Sequence, residues 1–473
     1  MPWFGEVIPI QSSLGLIEYL DSETLARIEN PGYVLIVTPR HSIVIEWMSE
    51  LRGILSAMGF SMSFVTGSGA FAPARNKEIR LTTSTHLLAA LSEENDVAQT
   101  YPGLELVILE NLEQLDPFYE LAISSLCRII QIQPIRIVGF SASLNDSADL
   151  ATWLDVAPSA FHSFRPSDRD QSLKVVAHTF AIPHSAALFK AMIRPASAAI
   201  LSVGPGSGPA IVFVPSRTQC SSIALDLIVN CTLETGASTG YLPSELSADF
   251  ADILQPYFRR LHDRGLSDLV SRGVGLFHSG LHKQDRAIML ELYAEGIVRV
   301  LVTAREACWT LPIRAAVVVV MGTQYFTIHD DGASRQLRSY TLKELVRMQG
   351  RAVRHGEMGH FHLFCQAEDK DTYMRFLEGG LPLESRLLGS DQLRRWYKHH
   401  RDRGLIRNKP EGVHALSWTF LARRAASNPT YYDSKGTRDG CLSRIVDELE
   451  VSIVDHSHDG TSAVGETIAA EQR

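Results

Sequence analysis

Arg351 and Arg354 stand three residues apart in QGRAVRHG (349–356), after a helix-forming stretch and ahead of the strand-like run HFHLFC. Two guanidiniums presented this way suit the charge that develops on a transferring phosphoryl group. A second candidate set follows the apolar run in LVILENLEQL (106–115), where Glu110, Asn111 and Glu113 occupy a strand end. Acidic groups at such a place order a divalent cation and orient an attacking water. Glu110 has the charge for a cation, whereas Asn111 carries none and cannot serve as a base. This chemistry also needs a GxxxxGK[ST] loop, whose amides cradle phosphates, whose lysine reaches the β and γ groups and whose hydroxyl holds Mg²⁺. The residues ahead of YVLIVTP contain no glycine-rich loop and no Gly-Lys pair, and TGSGA (66–70) lacks the lysine. The phosphate loop is therefore expected to be missing.

The elements that must position these groups alternate short apolar runs with longer helical stretches. YVLIVTP, MSFVTG, EIRLTTS, LELVILEN and IRIVGFSAS are read as strands, with a helix from about Ser42 to Met58. After the Gly/Ser/Pro-rich SVGPGSGP (202–209) a second series follows: AIVFVPS, VGLFHSG, VRVLVTA, AAVVVVMG and GHFHLFC. Apolar strands separated by ten or more residues predict parallel sheets covered by helices on both faces. The fold class is thus α/β. Its first domain is read as 1–185, a second sheet domain as 186–388 and a helical module as 389–473. Residues 394–424 are strongly basic and contain Trp396, Tyr397 and Trp418, whereas the stretch from Ile445 is acidic, and the module is expected to end in a poorly ordered tail.

Bulk composition bounds the function. At 473 residues the chain is long enough for two to four domains. A hydrophobic content of 45% with 21% charged residues is ordinary for a globular protein. A formal net charge of -8 argues against indiscriminate coating of nucleic acid, while leaving room for a local basic groove. Cys127, Cys220, Cys231, Cys308, Cys365 and Cys441 form no CxxC pair, so they are read as reduced, buried thiols. The N-terminus lacks the pattern of a secretory signal, and AAVVVVMG is far too short to span a bilayer. No membrane partner and no metal site are expected.

Two tandem sheets suggest a cleft at their strand ends. There the sequence resembles superfamily 2 RNA helicases of the duplicated-cassette type. The pieces that carry the resemblance fall in order: VTP, TG, LTTS, IRIVGFSASLNDSADLATWL, FRPSDR, IVFVPSR, GVGLFHSGLHKQDR, GTQYF, QGRAVR, LPLESRLL and WTFLARRAASNPTYY. REACW and MGTQYF make it most similar to the C-terminal cassette of the spliceosomal small nuclear ribonucleoprotein helicase. The resemblance implies two RecA-like domains followed by a winged-helix-like module. It implies phosphate-gripping loops for nucleic acid at Thr38, Pro39, Thr66, Gly67, Thr83, Ser216, Arg217, His278 and Gly280. Hydroxyls, glycine amides and single arginines can position a backbone without reading bases. Each position also reads as an ordinary strand-to-helix turn, and His278 as a core histidine. Ser141, Ala142 and Ser143 match the segment that couples the nucleotide and RNA sites.

The sequence departs from the family at the catalytic positions, and against the family pattern the opening strand with its phosphate loop is expected to be missing, leaving a neighbouring strand with an unpaired edge. Glu110, Asn111 and Glu113 stand where active members have Asp-Glu-x-His. Thr310 and Pro312 replace the usual Gly and Asn of another motif, and Pro312 removes a backbone donor. Arg347 replaces a leading glutamine and Val353 a glycine. Glu110, Arg351 and Arg354 are therefore expected to be remnants of a catalytic set, the arginines free to pair with a carboxylate of the first domain. Three functions stay open. The first is a degenerate cassette, without competent ATP hydrolysis, that binds single-stranded RNA or ribonucleoprotein partners. The second is an active ATP-dependent RNA helicase in pre-mRNA splicing, with ATP and Mg²⁺ as cofactors. The third is a decayed duplicate or misassembled gene model. The expected location is nuclear or cytoplasmic.

Overall fold

A computed structural model of the chain describes residues 6–8, 27–28, 30–93, 101–133, 135–168, 172–202, 208–236, 240–242, 250–328, 335–354, 356–432 and 438–456. The first lobe is built on a six-stranded parallel sheet of order β1-β6-β5-β2-β4-β3. Its strands are β1 (Glu6–Ile8), β2 (Gly32–Thr38), β3 (Ser61–Phe64), β4 (Lys77–Thr83), β5 (Leu104–Leu109) and β6 (Arg136–Phe140). β2 is buried along its whole length, which is why its sequence is continuously apolar instead of alternating. Helices α1 (His41–Ala57), α2 (Ser84–Glu93), α3 (Pro117–Ile130) and α4 (Ser147–Trp153) belong to this lobe. α3 begins where Asp116 accepts a hydrogen bond from the Tyr119 amide at 2.8 Å and Pro117 takes the first helical position.

β1 corrects one expectation. Glu6, Val7 and Ile8 pair with Val138, Gly139 and Phe140, so an opening strand is present and the β6 edge has a partner. Three residues followed by a proline give too short an apolar run for periodicity to register.

The second lobe has a six-stranded parallel sheet of order β7-β14-β11-β8-β10-β9. These strands are β7 (Leu173–Phe180), β8 (Ala210–Val214), β9 (Val274–Phe277), β10 (Val300–Ala304), β11 (Val317–Met321) and β14 (Gly359–Gln366). β12 (Gln324–Ile328) and β13 (Arg335–Ser339) form a separate antiparallel hairpin. β7 is a second correction: although it precedes residue 185, it pairs with β14 over eight residues and belongs to this sheet. As an edge strand it is only half-buried, and its mixed pattern does not stand out as a core strand. The helices of this lobe are α5 (Ala186–Leu201), α6 (Arg217–Thr235), α7 (Phe250–Phe258), α8 (Gly265–Val270), α9 (Lys283–Ala294), α10 (Leu342–Gly350) and α11 (Lys370–Gly379).

Helices α12 (Asp391–Asp402), α13 (Lys409–Ser417), α14 (Phe420–Ser427) and α15 (Arg438–His456) complete the chain's described part. They pack on the first lobe: Leu393, Trp396, Leu416, Phe420, Leu421 and Leu442 share one core with Leu121, Ala122 and Leu150. α15 runs into the acidic stretch, where Ile445, Val446 and Leu449 turn an apolar face into that core. Residues after 456 lie outside the described part.

Two polar devices fix the module. Glu120, buried in α3, accepts from the Leu421 amide and the Ser385 hydroxyl, each at 2.7 Å. Burial pushes its carboxyl up to about 8. Arg424 of α14, also buried, pairs with Glu384 at 2.5 Å and with Asp149 of α4, and its Nη2 lies 3.3 Å from Asp146. Removing one member of a buried ion network leaves the others desolvated and uncompensated. Arg424→Ala should therefore lower stability by about 3 kcal/mol, read as a shift in the denaturant midpoint. Arg424→Met, which keeps the packing of the stem, should recover part of the loss.

Candidate functional site: the interlobe cleft

Of the groups singled out for phosphoryl chemistry, Glu110, Asn111, Glu113 and Arg351 meet in a cleft between the lobes with about 870 Å³ of non-protein space that is continuous with solvent. From the first lobe come Ile43, Glu46 and Trp47 of α1, and Glu110, Asn111, Glu113 and Gln114 after β5. From the second come Trp309, Pro312 and Arg314, together with Lys343, Arg347 and Arg351 on or just past α10. α10 is held rigidly at its start by a capping box between Thr341 and Glu344. Glu344 is also paired with Arg305, whose guanidinium lies 3.7 Å from the Tyr325 ring centroid.

Within the cleft the arginines are already engaged. Glu46 accepts from Arg347 Nη2 at 2.5 Å and from Arg351 Nη1 at 3.4 Å. Arg351 also donates to the Cys308 carbonyl at 3.4 Å. Burial, reinforced by Arg347, lowers Arg351 to about 10, so it remains charged at neutral pH. Arg40, next to α1, donates to Gln114 at 3.0 Å and lies 4.4 Å from the Trp309 ring centroid, adding a cation–π bridge between lobes. Arg354 does not line the cleft. It pairs with Glu357 on its own segment. Of the two predicted arginines, therefore, only Arg351 reaches the cleft, and Arg347 joins it.

The acidic positions are equally committed. Desolvation, assisted by the nearby Glu113, pushes Glu110 up to about 8, so the carboxyl holds its proton at neutral pH. Asn111 adopts the left-handed region at φ 52, and its side chain donates to Glu113 at 3.3 Å. The other oxygen of Glu113 accepts from the Ala142 amide at 3.0 Å. That bond ties the Ser141–Ser143 segment to the acidic stretch; within it Ser141 donates to the Ala142 carbonyl at 2.8 Å, and Ser143 donates to the Phe164 carbonyl at 2.9 Å. Mg²⁺ is held through one or two carboxylates, with waters and phosphate oxygens completing the octahedron. Metal-free, a protonated Glu110 beside the neutral Asn111 presents no charged oxygen from those two positions.

The residues matched to nucleic-acid loops gather at two strand-end clusters. In the first lobe Thr38 Oγ1 donates to the Arg40 carbonyl at 3.1 Å, with Pro39 between them, and Thr82 donates to the Val65 carbonyl at 3.0 Å. Thr66 precedes the turn Gly67–Phe71, where Gly67 has φ +53, and Thr83 bonds Thr85 at 2.9 Å. In the second lobe a Cβ on Gly280 would lie 3.2 Å from His278 Nδ1 and 3.3 Å from Arg217 Cδ, so these three converge. Ser216 bonds Thr218 at 2.9 Å. His278 is held below the ordinary imidazole range by burial, and its Nδ1 is buried without a hydrogen-bond partner among the described residues.

Sequence reasoning missed Glu46, Trp309 and Lys343. Glu46 offered one signal: it is an acid beside Trp47 on a helix whose Ile43, Val44 and Leu51 are all buried. Lys343 is lowered to about 8 by burial and the neighbouring Arg386, a tertiary effect that no local pattern encodes.

The described chain thus has two parallel-sheet lobes with a cleft between them, followed by a helical module. A family model described as a winged helix-turn-helix domain matches residues 402–465. The U5 small nuclear ribonucleoprotein 200 kDa helicase of Drosophila melanogaster is 32% identical over 67% of this chain, a match covering 14% of that protein. The human protein of the same name is also 32% identical, with the same two shares. The RQC trigger complex helicase of Saccharomyces cerevisiae is 29% identical over 90% of this chain and 22% of its own length. The chain thus spans only a small part of the curated relatives it matches. Fold and comparisons together support a cassette of the spliceosomal RNA helicase type.

Two outcomes follow from the cleft. Because Glu110 binds its proton more tightly folded than unfolded, it favours the folded state below about pH 4.5, and this contribution is lost as pH rises toward 8. Glu110→Gln should flatten the fall in melting temperature across that window. Glu46→Ala should leave Arg347 and Arg351 facing each other unpaired, loosening the lobes. Faster amide exchange in α1 and α10, with little change in β8 or β11, would report it.

Proposed function

We propose that this chain is a helicase-type cassette that does not turn over ATP and serves as a scaffold for single-stranded RNA or a ribonucleoprotein partner. The observation that carries this reading is the internal pairing of Arg347 and Arg351 with Glu46, which occupies the charge meant for a triphosphate. The neutral Glu110 and Asn111 reinforce it, since cation ordering and water orientation are both weakened. An arginine placed on a phosphoryl group can supply roughly 10³ to 10⁵ in rate. It does not replace the phosphate binding that a GxxxxGK[ST] loop supplies.

RNA contact is proposed for Thr38, Pro39, Thr66, Gly67, Thr83, Ser216, Arg217, His278 and Gly280. Ser141, Ala142 and Ser143 would act in packing, since one of their two inputs is altered. The relatives' names supply the setting, that of U5 ribonucleoprotein and of RNA quality control, so a nuclear or cytoplasmic place is proposed. Among the described residues no helix is long and apolar enough to cross a membrane. One observation favours the active reading: β1 is in place as a strand from which a phosphate loop would lead. The residues that follow it, PIQSSLG, nevertheless contain no Gly-Lys pair.

Two measurements on the purified chain decide the matter. ATP hydrolysis should stay at background with and without single-stranded RNA, and RNA affinity should be unchanged by ATP and Mg²⁺. RNA-stimulated turnover abolished by Arg351→Ala would overturn the proposal. Arg217→Ala should weaken RNA binding severalfold and reduce its salt dependence.

A further inference from the structure

Away from the cleft, the second lobe brings two histidines and an aspartate together. His262 lies between α7 and α8, His282 caps the start of α9, and Asp285 sits in the first turn of α9. The two imidazole rings are 3.8 Å apart between centroids and tilted by 37°. One ligand atom from each of the three residues lies within 4.8 Å of the other two. Asp285 is buried, and both histidines are exposed. Its carboxylate accepts from the His262 amide at 2.9 Å and the Asp263 amide at 3.1 Å, which fixes its orientation.

We propose that His262, His282 and Asp285 bind a divalent transition ion of the zinc class. The argument is geometric. His262 Nδ1 lies 3.3 Å from Asp285 Oδ1, long for a charge-assisted hydrogen bond, which falls near ~2.8 Å. Zinc–nitrogen and zinc–oxygen bonds of about 2.0–2.1 Å in a tetrahedron place neighbouring ligand atoms about 3.3–3.4 Å apart. The separation therefore suits a shared ion better than a shared proton. His282 Nδ1 accepts from the Gln284 amide at 3.3 Å, a long capping bond that ligation through this atom would displace. Ligation exchanges that bond for a metal–nitrogen bond, while the Gln284 amide, in an exposed first turn, turns to water.

Both rings then carry their proton on Nε2. No net proton is released from the neutral forms, and water completes the coordination. Two imidazoles with one carboxylate favour zinc and its neighbours over Mg²⁺ or Ca²⁺, which prefer all-oxygen sets. The bound ion would clamp the turn after α7 to the start of α9, two residues from Gly280. This proposal stands independently of whether the cleft turns over ATP.

The test is calorimetric titration of zinc chloride into the full chain, compared with a His262→Gln/His282→Gln double variant. Both side chains are exposed, and an unchanged metal-free melting curve would show that the variant is folded. If it is not, His262→Gln alone serves. The wild-type chain should bind one more equivalent of zinc than the variant, and zinc should raise its melting temperature selectively. Magnesium chloride at the same concentration should do neither. Equal zinc stoichiometry and equal thermal shift in the two proteins, or no zinc bound by the wild type, would overturn the assignment.

Discussion

One carboxylate, that of Glu46, holds together what the rest of this structure arranges. It lies on α1, on the buried side of the helix beside Trp47, and reaches across to two guanidiniums borne by the other lobe. The energetic logic is asymmetric. An ion pair in a partly desolvated cleft gains modestly over a well-packed apolar contact, whereas losing one partner leaves buried charge without compensation. The contact is therefore a strong determinant of geometry even if its net contribution to stability is small. A side chain of the first lobe thus supplies the negative charge that compensates two guanidiniums of the second.

The surrounding elements are organised to keep that geometry. The capping box fixes where α10 begins, and its Glu344 is tied to Arg305, which rests on Tyr325. Trp309 receives Arg40 from the opposite lobe, so charge and aromatic surface meet beside the Glu46 contact. On the first lobe Tyr119 donates to the carbonyls of both Val37 and Glu110, fastening the ends of two adjacent strands from below. The neutral state of Glu110 belongs to the same economy of charge. With Glu113 close by and little water, a second anion in that place would be repelled.

Much of this was legible in the residues themselves. Continuous apolar runs located β2, β5, β8, β10 and β11 because central parallel strands are buried on both faces. The altered motif around Asn111 could be read directly, since its chemistry depends on residue type alone. Legibility failed where the deciding term was tertiary. β7 is a half-buried edge strand whose allegiance is set by pairing with β14, and β1 is too short to show a period. Glu46 reads as an ordinary surface acid until α10 packs opposite it. The helical order of α15 depended on a core supplied by α13 and α14, which no local acidic composition announces.

The path of the chain carries a mechanical consequence. It leaves the first body after the turn Pro166–Asp168 and comes back at Leu381, which bridges to Leu144 and donates its amide to the Ser143 carbonyl at 2.7 Å. Helix α11, the last element before the return, packs against that same exit turn. Outgoing and incoming strands of the connection are thus neighbours, like two pins on one axle. Both crossings between the bodies therefore lie at one edge of the molecule, with the return anchored to the first body by the Leu381 bridge.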